Sequence, residues 1–362
     1  MQVERIVRPR RRLVVGSWPG PSFSWNTFIA AFCDALAAAG CEVVDVDDPR
    51  RISRKLDVLH IHWPEQIFWK GGGSARTIYR TVITLHALAR LKRSGVRIVW
   101  MVHNLKPHEL SGVRRPLWRL IERRLTALAD GFMTLSPATV RIVREALPGL
   151  KDTPYASPWH PAYPLAGPLP DRAASRHAAG LPPTGDVYAF LGLVRAYKGV
   201  GDLIAAFRDD PAPERRLLIA GHCDSAEYGA ELQRLAVEDR RIHLRLGRLD
   251  EADFAMLTAA ADVIVLPFRD YLHSGSMIHT LSHARPVITP SAPFADALAA
   301  EVGDRWVRTY QGKLTAADLA SAERPIGEPD LSGLSGAAMA AAAIALYERL
   351  VVSHQRDNAG ER

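Results

Sequence analysis

The sequence predicts an α/β protein built from two doubly wound domains. In both halves of the chain, short apolar segments with the character of buried strands alternate with segments of helical periodicity. This order is typical of βαβ units around a parallel sheet. Between the halves, Lys151–Pro170 is rich in proline and shows little periodicity, which is typical of a connection between domains. With 362 residues, the chain is long enough for two domains that each bury a core.

The first half begins with a predicted strand at Leu13–Gly16. An amphipathic helix follows from Asn26 to Ala39, and Gly40 ends it, because glycine readily adopts the left-handed conformation that terminates helices. The remaining elements predicted in this half are strands at Glu42–Val46, Asp57–His62, Arg97–His103 and Gly131–Leu135 and helices at Thr77–Arg93 and Pro116–Ala129.

The second half repeats the alternation from Val187 to about Trp306. Helices are predicted to start near Val200 and Asp250, residues 311–334 look irregular, and Gly336–Val352 is an alanine-rich helix. The predicted strands are the segment before Gly192, Arg216–Gly221, Arg241–Gly247, Asp262–Pro267 and Arg285–Ile288. We therefore divide the chain into a first domain at 1–155, a proline-rich linker at 156–184, a second domain at 185–335 and a C-terminal helix and tail at 336–362.

The composition is that of a globular protein, with 48% hydrophobic and 23% charged residues. The three cysteines, Cys33, Cys41 and Cys223, have neither the spacing of metal ligands nor an even count, so they are interpreted as buried thiols in a reducing compartment. No apolar run reaches about 18 residues, and the arginine-rich start lacks the apolar region of a signal peptide. We therefore expect a cytoplasmic protein without a membrane-spanning helix.

The net charge of +7 is unevenly distributed along the chain. Residues 1–160 contain 25 Lys+Arg and 13 Asp+Glu, a balance of +12, whereas the remainder contains 21 and 26, a balance of −5. Two helical segments, Thr77–Arg93 and Arg114–Leu128, interleave the basic surplus with apolar residues. Such helices either cover a sheet with a solvated basic face or bind an anionic membrane at the inner face. No nucleic-acid recognition motif is present, so we expect no nucleic-acid partner.

A candidate anion site lies in Phe190–Gly199, which is predicted to be a buried strand, a glycine turn, two cations and the start of a helix. Arg195 and Lys198 follow the carboxyl end of the strand, where parallel sheets present their ligands. Gly199 permits close backbone approach, and the N-terminus of the next helix favours anions. Two cations at this place suit a diphosphate, although an ordinary surface loop has the same local sequence.

The order of segments over Val187–Pro290 resembles the donor-binding domain of GT-B glycosyltransferases, especially the bacterial group that builds exopolysaccharides and lipid-linked saccharides. In that group a G-x-x-R-x-Y-K-G turn and a Ser-Gly loop before a helix face the sugar nucleotide. The resemblance is weaker over Leu13–Ser136 and absent in the tails. It implies two Rossmann-like doubly wound domains facing across a cleft, and a C-terminal helix of the kind that often crosses back to the first domain. It also implies donor contacts from Arg195, Lys198, Gly199, Ser274, Gly275, Ser276 and His279.

Two glutamates of many retaining members, eight positions apart, are missing. Aligning Ala284–Val287 with the family's G-x-P-V turn places Tyr271 and His279 at the glutamate positions. In the family these glutamates contact the sugar and the ribose, so their absence leaves open which sugar is bound and whether the anomeric configuration is retained.

In the first half, His103 ends a predicted buried strand. In the resembling enzymes a histidine at the matching turn lies near the donor sugar; a core histidine that orders the loop is the alternative. Glu65 and Glu109 are loop carboxylates on the expected acceptor side, and either is a candidate general base if the reaction inverts configuration. His60 and His62 share one face of their strand, but the sequence offers no convincing further ligand for a metal site.

Three further features surround these residues. Gly16–Gly20 is interpreted as a close-approach loop near donor or acceptor, although it lacks the G-x-G-x-x-G spacing of dinucleotide-binding proteins. Trp63, Phe68 and Trp69 are aromatic residues that either stack on a sugar or fold over the sheet edge. Asp45–Asp47 matches a metal-binding D-x-D only by chance, because it ends a predicted strand of a doubly wound pattern.

The predicted function is metal-independent transfer of a hexose from a nucleoside diphosphate sugar to a hydroxyl of a saccharide or lipid-linked acceptor, with no cofactor. The alternatives are a non-catalytic scaffold of the same fold at a membrane-bound assembly, and a sugar-nucleotide epimerase or a phosphorylase. The sequence leaves the sugar, the base, the linkage and the oligomeric state open.

Overall fold

The structure is a computed structural model of the chain. It describes residues 11–23, 26–69, 71–107, 110–165, 167–268, 270–320 and 324–360, with side chains described as far as residue 353. The chain forms two compact units: the first comprises Met1–Trp159 and Leu334–Arg362, and the second comprises His160–Gly333. The predicted linker at 156–184 is therefore not a separate segment, because residues from His160 onward belong to the second unit.

The first unit is built on a parallel sheet of six strands. Numbered along the chain, they are β1 (Val14–Trp18), β2 (Glu42–Asp45), β3 (Val58–Ile61), β4 (Arg97–Met101), β5 (Gly131–Met133) and β6 (Tyr155–Ala156). Their order across the sheet is β2-β1-β3-β4-β5-β6. Because β2 and β3 flank β1 on opposite sides, the strand order reverses between β1 and β3. Ligands of doubly wound sheets bind at the carboxyl ends of the strands at such a switch point.

The helices of this unit are α1 (Thr27–Ala38), α2 (Ser74–Arg93), α3 (Arg114–Leu128), α4 (Val140–Ala146) and, from the C-terminal end of the chain, α12 (Gly336–Gly360). The Asn26 side chain accepts a hydrogen bond of 2.9 Å from the Phe28 amide and thereby caps α1. The predicted start of α2 at Thr77 was late by less than one turn.

Helix α12 completes the core of the first unit. By length and composition, Gly336–Ser353 is able to cross a membrane, which the sequence analysis did not anticipate. However, Met339, Ala343 and Tyr347 are fully buried among residues of α1 and the sheet. A buried apolar face of this kind is that of a core helix, so the hydropathy of α12 is explained by packing.

The second unit contains a second parallel sheet of six strands. They are β7 (Val187–Leu191), β8 (Arg216–Gly221), β9 (Ile242–Leu246), β10 (Val263–Val265), β11 (Val287–Pro290) and β12 (Val307–Tyr310). The order β12-β11-β10-β7-β8-β9 reverses between β7 and β10. The loops after these two strands therefore occupy the switch point of the second sheet.

The helices of the second unit are α5 (Arg172–Ala178), α6 (Val200–Arg208), α7 (Ala226–Val237), α8 (Glu251–Ala260), α9 (Gly275–Ser282), α10 (Pro293–Val302) and α11 (Ala316–Ala320). Helix α11 lies in a stretch that the sequence predicted to be irregular. Helix α5 lies within the predicted linker and is fixed by Arg176, whose fully buried guanidinium forms an ion pair with Asp262. The same side chain donates to the carbonyl oxygens of Ala260 and Gly185 at 3.1 and 3.0 Å, which satisfies the buried charge.

Candidate functional site

The loop after β7 contains the predicted diphosphate-binding cations. It runs from Gly192 through a 3₁₀ turn at Ala196–Lys198 to Gly199, which begins α6 with a positive φ of 73°. A Cβ atom at position 199 would lie only 2.7 Å from the carbonyl oxygen of Pro267, in the loop after β10. Glycine is therefore required at position 199 for two reasons: the positive φ, and the close approach of the two switch-point loops.

The ammonium group of Lys198 lies in an apolar environment. Its Nζ lies 4.1 Å from the centroid of the Phe268 ring, within the range of a cation–π contact. Burial, and to a smaller extent the neighbouring charge of Arg195, lowers the pKa of Lys198 to about 8. An anion bound here would supply the counter-charge that the ammonium group otherwise obtains from water.

Arg195 is anchored by a carboxylate. Its Nη2 donates to Oδ2 of Asp224 at 2.8 Å, and Asp224 follows β8. Both side chains are partly exposed, so the ion pair orients the guanidinium more than it stabilises the fold. The loop after β7 thus places two cations at the switch point, and the loops after β8 and β10 supply their partners, Asp224 and Phe268.

The loop after β10 leads into α9. The Ser274 side chain accepts a hydrogen bond of 3.3 Å from the Met277 amide and caps the helix, so its hydroxyl has a structural role. Gly275 and Ser276 occupy the first turn, where the helix dipole favours an anion. A Cβ atom at Gly275 would approach the Tyr163 hydroxyl to 2.9 Å, which explains the glycine.

The two positions aligned with the family's glutamates are occupied by packing residues. The Tyr271 hydroxyl donates to the carbonyl oxygen of Pro290 at 3.2 Å. His279 packs against Tyr163, Phe254 and His283, with ring-centroid distances of 5.2, 4.7 and 4.7 Å. Burial, and then the nearby His283, lowers the pKa of His279 to about 4, so the ring is neutral at pH 7. These contacts account for both side chains without a donor sugar.

In the first unit, His103 belongs to a network of histidines. Its Nε2 lies 3.2 Å from Nδ1 of His62, and its ring stacks on Trp63 at a centroid distance of 4.2 Å. His62 and the neighbouring His60 are buried at the end of β3, and His60 Nδ1 lies 2.5 Å from the hydroxyl of Tyr347 on α12. Desolvation lowers the pKa of both buried histidines, so both rings are neutral.

The His62 ring determines which nitrogen of His103 carries the proton. Nε2 of His62 is buried with no hydrogen-bond partner among the described residues. A buried N–H group without an acceptor is rarer than a buried acceptor atom without a donor, so Nε2 is assigned as the unprotonated nitrogen. The proton of His62 is therefore assigned to Nδ1, from which it is donated to Nε2 of His103. His103 then carries its own proton on Nδ1, as a neutral hydrogen-bond donor.

Glu65 lies in a 3₁₀ turn, Pro64–Phe68, that follows β3. Its side chain is buried, and desolvation raises its pKa to about 7, which is the range in which a carboxylate acts as a general base. Glu109, the other candidate base, lies outside the described residues. Gly16 is not part of a loop: it lies within β1, and a Cβ atom there would approach Leu56 Cδ1 to 2.6 Å. The prediction of a close-approach loop at Gly16 was therefore wrong, and the glycine makes room for a core leucine.

A pocket of about 560 Å³ lies at the carboxyl edge of β1, β2 and β3. Phe23, Trp63 and Trp69 form one wall; Asp45, the last residue of β2, and Asp47 also line the pocket. The sequence analysis suggested stacking by Trp63 and Trp69 but dismissed the two aspartates. Phe68, the third aromatic residue suggested there, is buried. Across the described parts of the chain, no group of three or more His, Cys, Asp or Glu side chains is arranged to hold a metal ion.

Sequence reasoning missed several residues of these sites. Three partners come from other segments of the chain. Trp63 stacks on His103, Tyr347 contacts His60, and Asp224 pairs with Arg195. Only Phe268 could have been found, because it follows the predicted strand that ends at Pro267, at the edge where Lys198 was expected.

Solved structures of similar fold match the chain over both units. Sucrose-phosphate synthase from Thermosynechococcus elongatus matches 97% of this chain and 99% of its own, with a TM-score of 0.60 and 17% identity. The Anabaena protein HepE in complex with UDP and glucose matches 97% and 99%, with a TM-score of 0.55 and 14% identity. WaaG, a glycosyltransferase involved in lipopolysaccharide biosynthesis, matches 95% of each chain, with a TM-score of 0.54 and 16% identity. With its two doubly wound parallel sheets, the chain has the GT-B fold of these structures.

A sequence relative makes the assignment more specific. The GDP-mannose:glycolipid 4-β-D-mannosyltransferase of Xanthomonas campestris pv. campestris is 30% identical over 323 residues, which cover 88% of this chain and 84% of the relative. No protein-family model matches the chain. On the strength of this relative, the chain belongs to the same family of glycosyltransferases, and it is an enzyme rather than a scaffold.

Proposed function

We propose that the chain transfers a mannosyl group from GDP-mannose to a hydroxyl group of a glycolipid. The observation that carries this proposal is the similarity to the mannosyltransferase over 88% of the chain, which includes both switch-point loops of the second unit. The chemistry of those loops fits a nucleoside diphosphate, since Arg195 and Lys198 supply two cations beside the N-terminus of α6.

In this proposal the cations stabilise the leaving group. Lys198 and Arg195 neutralise the charge that develops on the diphosphate as the bond to the sugar breaks, which is the role that a metal ion has in other transferases. The first turn of α9, at Gly275 and Ser276, binds a phosphate oxygen through the helix dipole. His103, with its proton on Nδ1, supplies a hydrogen-bond donor at the carboxyl edge of the first sheet.

The linkage made by the relative implies the stereochemistry. GDP-mannose carries its mannosyl group in the α configuration, so a β-mannoside requires inversion at the anomeric carbon. Inversion needs a base for the attacking hydroxyl, and Glu65 has the pKa for it. The carboxylate of Glu65 takes the hydroxyl proton, the acceptor oxygen forms the new bond to the anomeric carbon, and GDP leaves with the electrons of the broken bond. The packing roles of Tyr271 and His279 fit a site without the paired glutamates of retaining members.

A membrane-bound acceptor fits the surface of the first unit. Helix α2 contains no Asp or Glu, and on its outer face Tyr79 and Val82 are 64% and 51% exposed. Arg76 and Arg90 are exposed on the same helix, and α3, which packs beside it, exposes Arg119. Exposed apolar side chains among cations suit the headgroup region of an anionic membrane. We propose that this face rests on the membrane that contains the glycolipid.

The donor is tested by thermal unfolding with GDP, UDP and ADP and their mannosyl or glucosyl derivatives, each with and without EDTA. We expect stabilisation by GDP and GDP-mannose that EDTA does not change, because a ligand that binds only the folded state stabilises it. A preference for UDP would refute the donor, and loss of the effect with EDTA would refute metal independence. The anomeric configuration of a product formed from GDP-mannose and membrane lipid extract, read by NMR, tests inversion.

A further inference from the structure

The aromatic pocket of the first unit has the position of a ligand site. It opens at the carboxyl ends of the strands where the order of the first sheet reverses, the place at which doubly wound sheets bind their ligands. Its volume of about 560 Å³ lies within the range of small-molecule sites. The donor role assigned to the second unit leaves this pocket without a function.

The apolar wall of the pocket is an aromatic platform. The Phe23 and Trp69 rings are nearly parallel, with a centroid distance of 5.9 Å and an interplanar angle of 20°. Trp63 adjoins Phe23 at 6.2 Å and continues the wall to His103, on which it stacks. Trp69 is 53% exposed, although burial of an indole ring is strongly favourable. The C–H face of a pyranose would cover such a ring.

The pocket also presents two carboxylates. Asp45 and Asp47 are two residues apart at the end of β2 and are both exposed. Asp45 is held in place because its Oδ2 accepts a hydrogen bond of 3.3 Å from the Ser22 amide. It also lies so close to Gly20 that a Cβ atom at position 20 would be 2.0 Å from its Oδ1. Carboxylates are acceptors for hydroxyl groups and form charge-assisted hydrogen bonds with them.

The charge of the described lining favours an uncharged ligand over an anion. Among the described residues that line the pocket, none is Lys or Arg, whereas two are aspartates. The two carboxylates would repel a phosphate, a nucleotide or a uronic acid that came close to them. An aromatic platform and carboxylate acceptors for hydroxyl groups, in one pocket, are suited to an uncharged sugar.

We infer that this pocket binds an uncharged pyranose of the acceptor saccharide, stacked on Trp69 and hydrogen-bonded by Asp45 and Asp47. The identification of that sugar as part of the acceptor rests on the proposed function; the binding of a sugar does not. Because Trp63 is shared between the pocket and His103, the bound sugar lies beside the predicted catalytic histidine.

The test uses the full chain labelled with 5-fluorotryptophan and titrated, in the absence of any nucleotide, with cellobiose, β-1,4-mannobiose and, as a charged comparison, methyl β-D-glucuronide. The ¹⁹F signal of Trp69, assigned through Trp69→Phe, is expected to shift saturably with at least one uncharged disaccharide and not with the glucuronide. Trp69→Ala is expected to weaken that binding at least about tenfold. Asp45→Asn, which keeps an acceptor for the Ser22 amide, is expected to weaken it severalfold.

Tyr155→Ala is the matched control, because it removes a partly exposed aromatic side chain of the same unit outside the pocket, and it is expected to bind like the unmodified chain. The inference is overturned if neither disaccharide shifts the Trp69 signal, if the glucuronide binds more tightly, or if Trp69→Ala retains full binding. A chain that binds the sugar but is not stabilised by GDP would refute the proposed donor and leave this site intact.

Discussion

Replacing Lys198 by methionine is expected to stabilise the free protein while it weakens donor binding. Lys198 is held against Phe268 with its pKa lowered to about 8, so the folded state does not favour the charged ammonium group. Methionine has a similar length and no charge, and therefore removes the desolvation cost without leaving a cavity. The same change removes the cation that would contact the diphosphate.

The magnitude follows from the pKa. A change from 10.5 to about 8 corresponds to at most about 3 kcal/mol at pH 7, where Lys198 is charged in both the folded and the unfolded chain. The contact with the Phe268 ring offsets about 1 kcal/mol of this cost. We expect a net gain of about 1–2 kcal/mol in the free energy of unfolding, or a rise of several degrees in the unfolding temperature of the second unit.

The direction in which the stability of the protein changes with pH provides a second test of the role of Lys198. Between pH 8 and 10.5 the unfolded chain binds a proton at Lys198 that the folded chain does not, so stability from this group rises with pH through that window. The affinity for GDP falls in the same window, because the neutral amine no longer pairs with the diphosphate. Lys198→Met should abolish both effects and weaken GDP binding about 10–100-fold, since a hydrogen bond to a charged group contributes about 1.5–3 kcal/mol.

Thermal unfolding at a series of pH values and isothermal titration with GDP measure these effects. Lys313→Met, at an exposed lysine of the same unit, is the control and is expected to change neither property. The reasoning is refuted if Lys198→Met lowers the unfolding temperature of the free protein, or if it binds GDP as tightly as the unmodified chain.

Three further predictions concern the first unit. Glu65→Gln should lower kcat about 100-fold or more and remove the rise in rate with pH through about 7, because the raised pKa keeps the carboxyl group protonated below that pH. The rate of transfer measured against pH tests this. A variant whose rate still falls below pH 7 as in the unmodified chain would exclude Glu65 as the base. His62→Asn should keep the proton of His103 on Nδ1, since the amide N–H of asparagine replaces the Nδ1–H donor of His62, whereas His62→Leu, which offers no donor, should not. ¹⁵N NMR of the His103 ring distinguishes the two tautomers. An identical His103 spectrum in both variants would contradict the assignment. Tyr347→Phe should lower the free energy of unfolding by about 1–3 kcal/mol, because it leaves His60 without its buried hydrogen-bond partner. Urea denaturation measures this change, and an unchanged midpoint would contradict the prediction.

The strands and switch-point loops could be predicted because their signals are local. The alternation of apolar strands with helices, and the glycine at the end of a strand, reflect backbone and burial preferences within a few residues. Gly199 and Lys198 were therefore predicted in the loop where the structure has them. Gly16 was misplaced because the same residue type also occurs inside strands, where a neighbouring side chain, here Leu56, needs the space.

The aromatic pocket could not be predicted because it is assembled from three loops. Phe23 and Trp69 follow two different strands and Asp45 ends a third, and no local pattern states which strands are neighbours. Asp45 and Asp47 were dismissed because their metal-binding spacing falls at the end of a predicted strand of a doubly wound pattern. Their actual environment, a pocket with an aromatic wall, depends on the strand order β2-β1-β3. The predicted linker failed for a similar reason, since Arg176 is buried by a partner, Asp262, far along the chain.

The missing glutamates and the position of Glu65 are connected by the stereochemistry. In the second unit, Tyr271 and His279 fill the glutamate positions with ring and backbone contacts, so neither position presents a carboxylate to the donor sugar. An inverting transfer requires its carboxylate on the side of the attacking hydroxyl. In this chain a buried carboxylate with a pKa of about 7 lies in the first unit, on the turn that also contributes Trp63 and Trp69 to the aromatic pocket. The same turn would then bind the acceptor sugar and activate its hydroxyl, so Glu65→Gln should lower kcat and leave the binding of disaccharide unchanged.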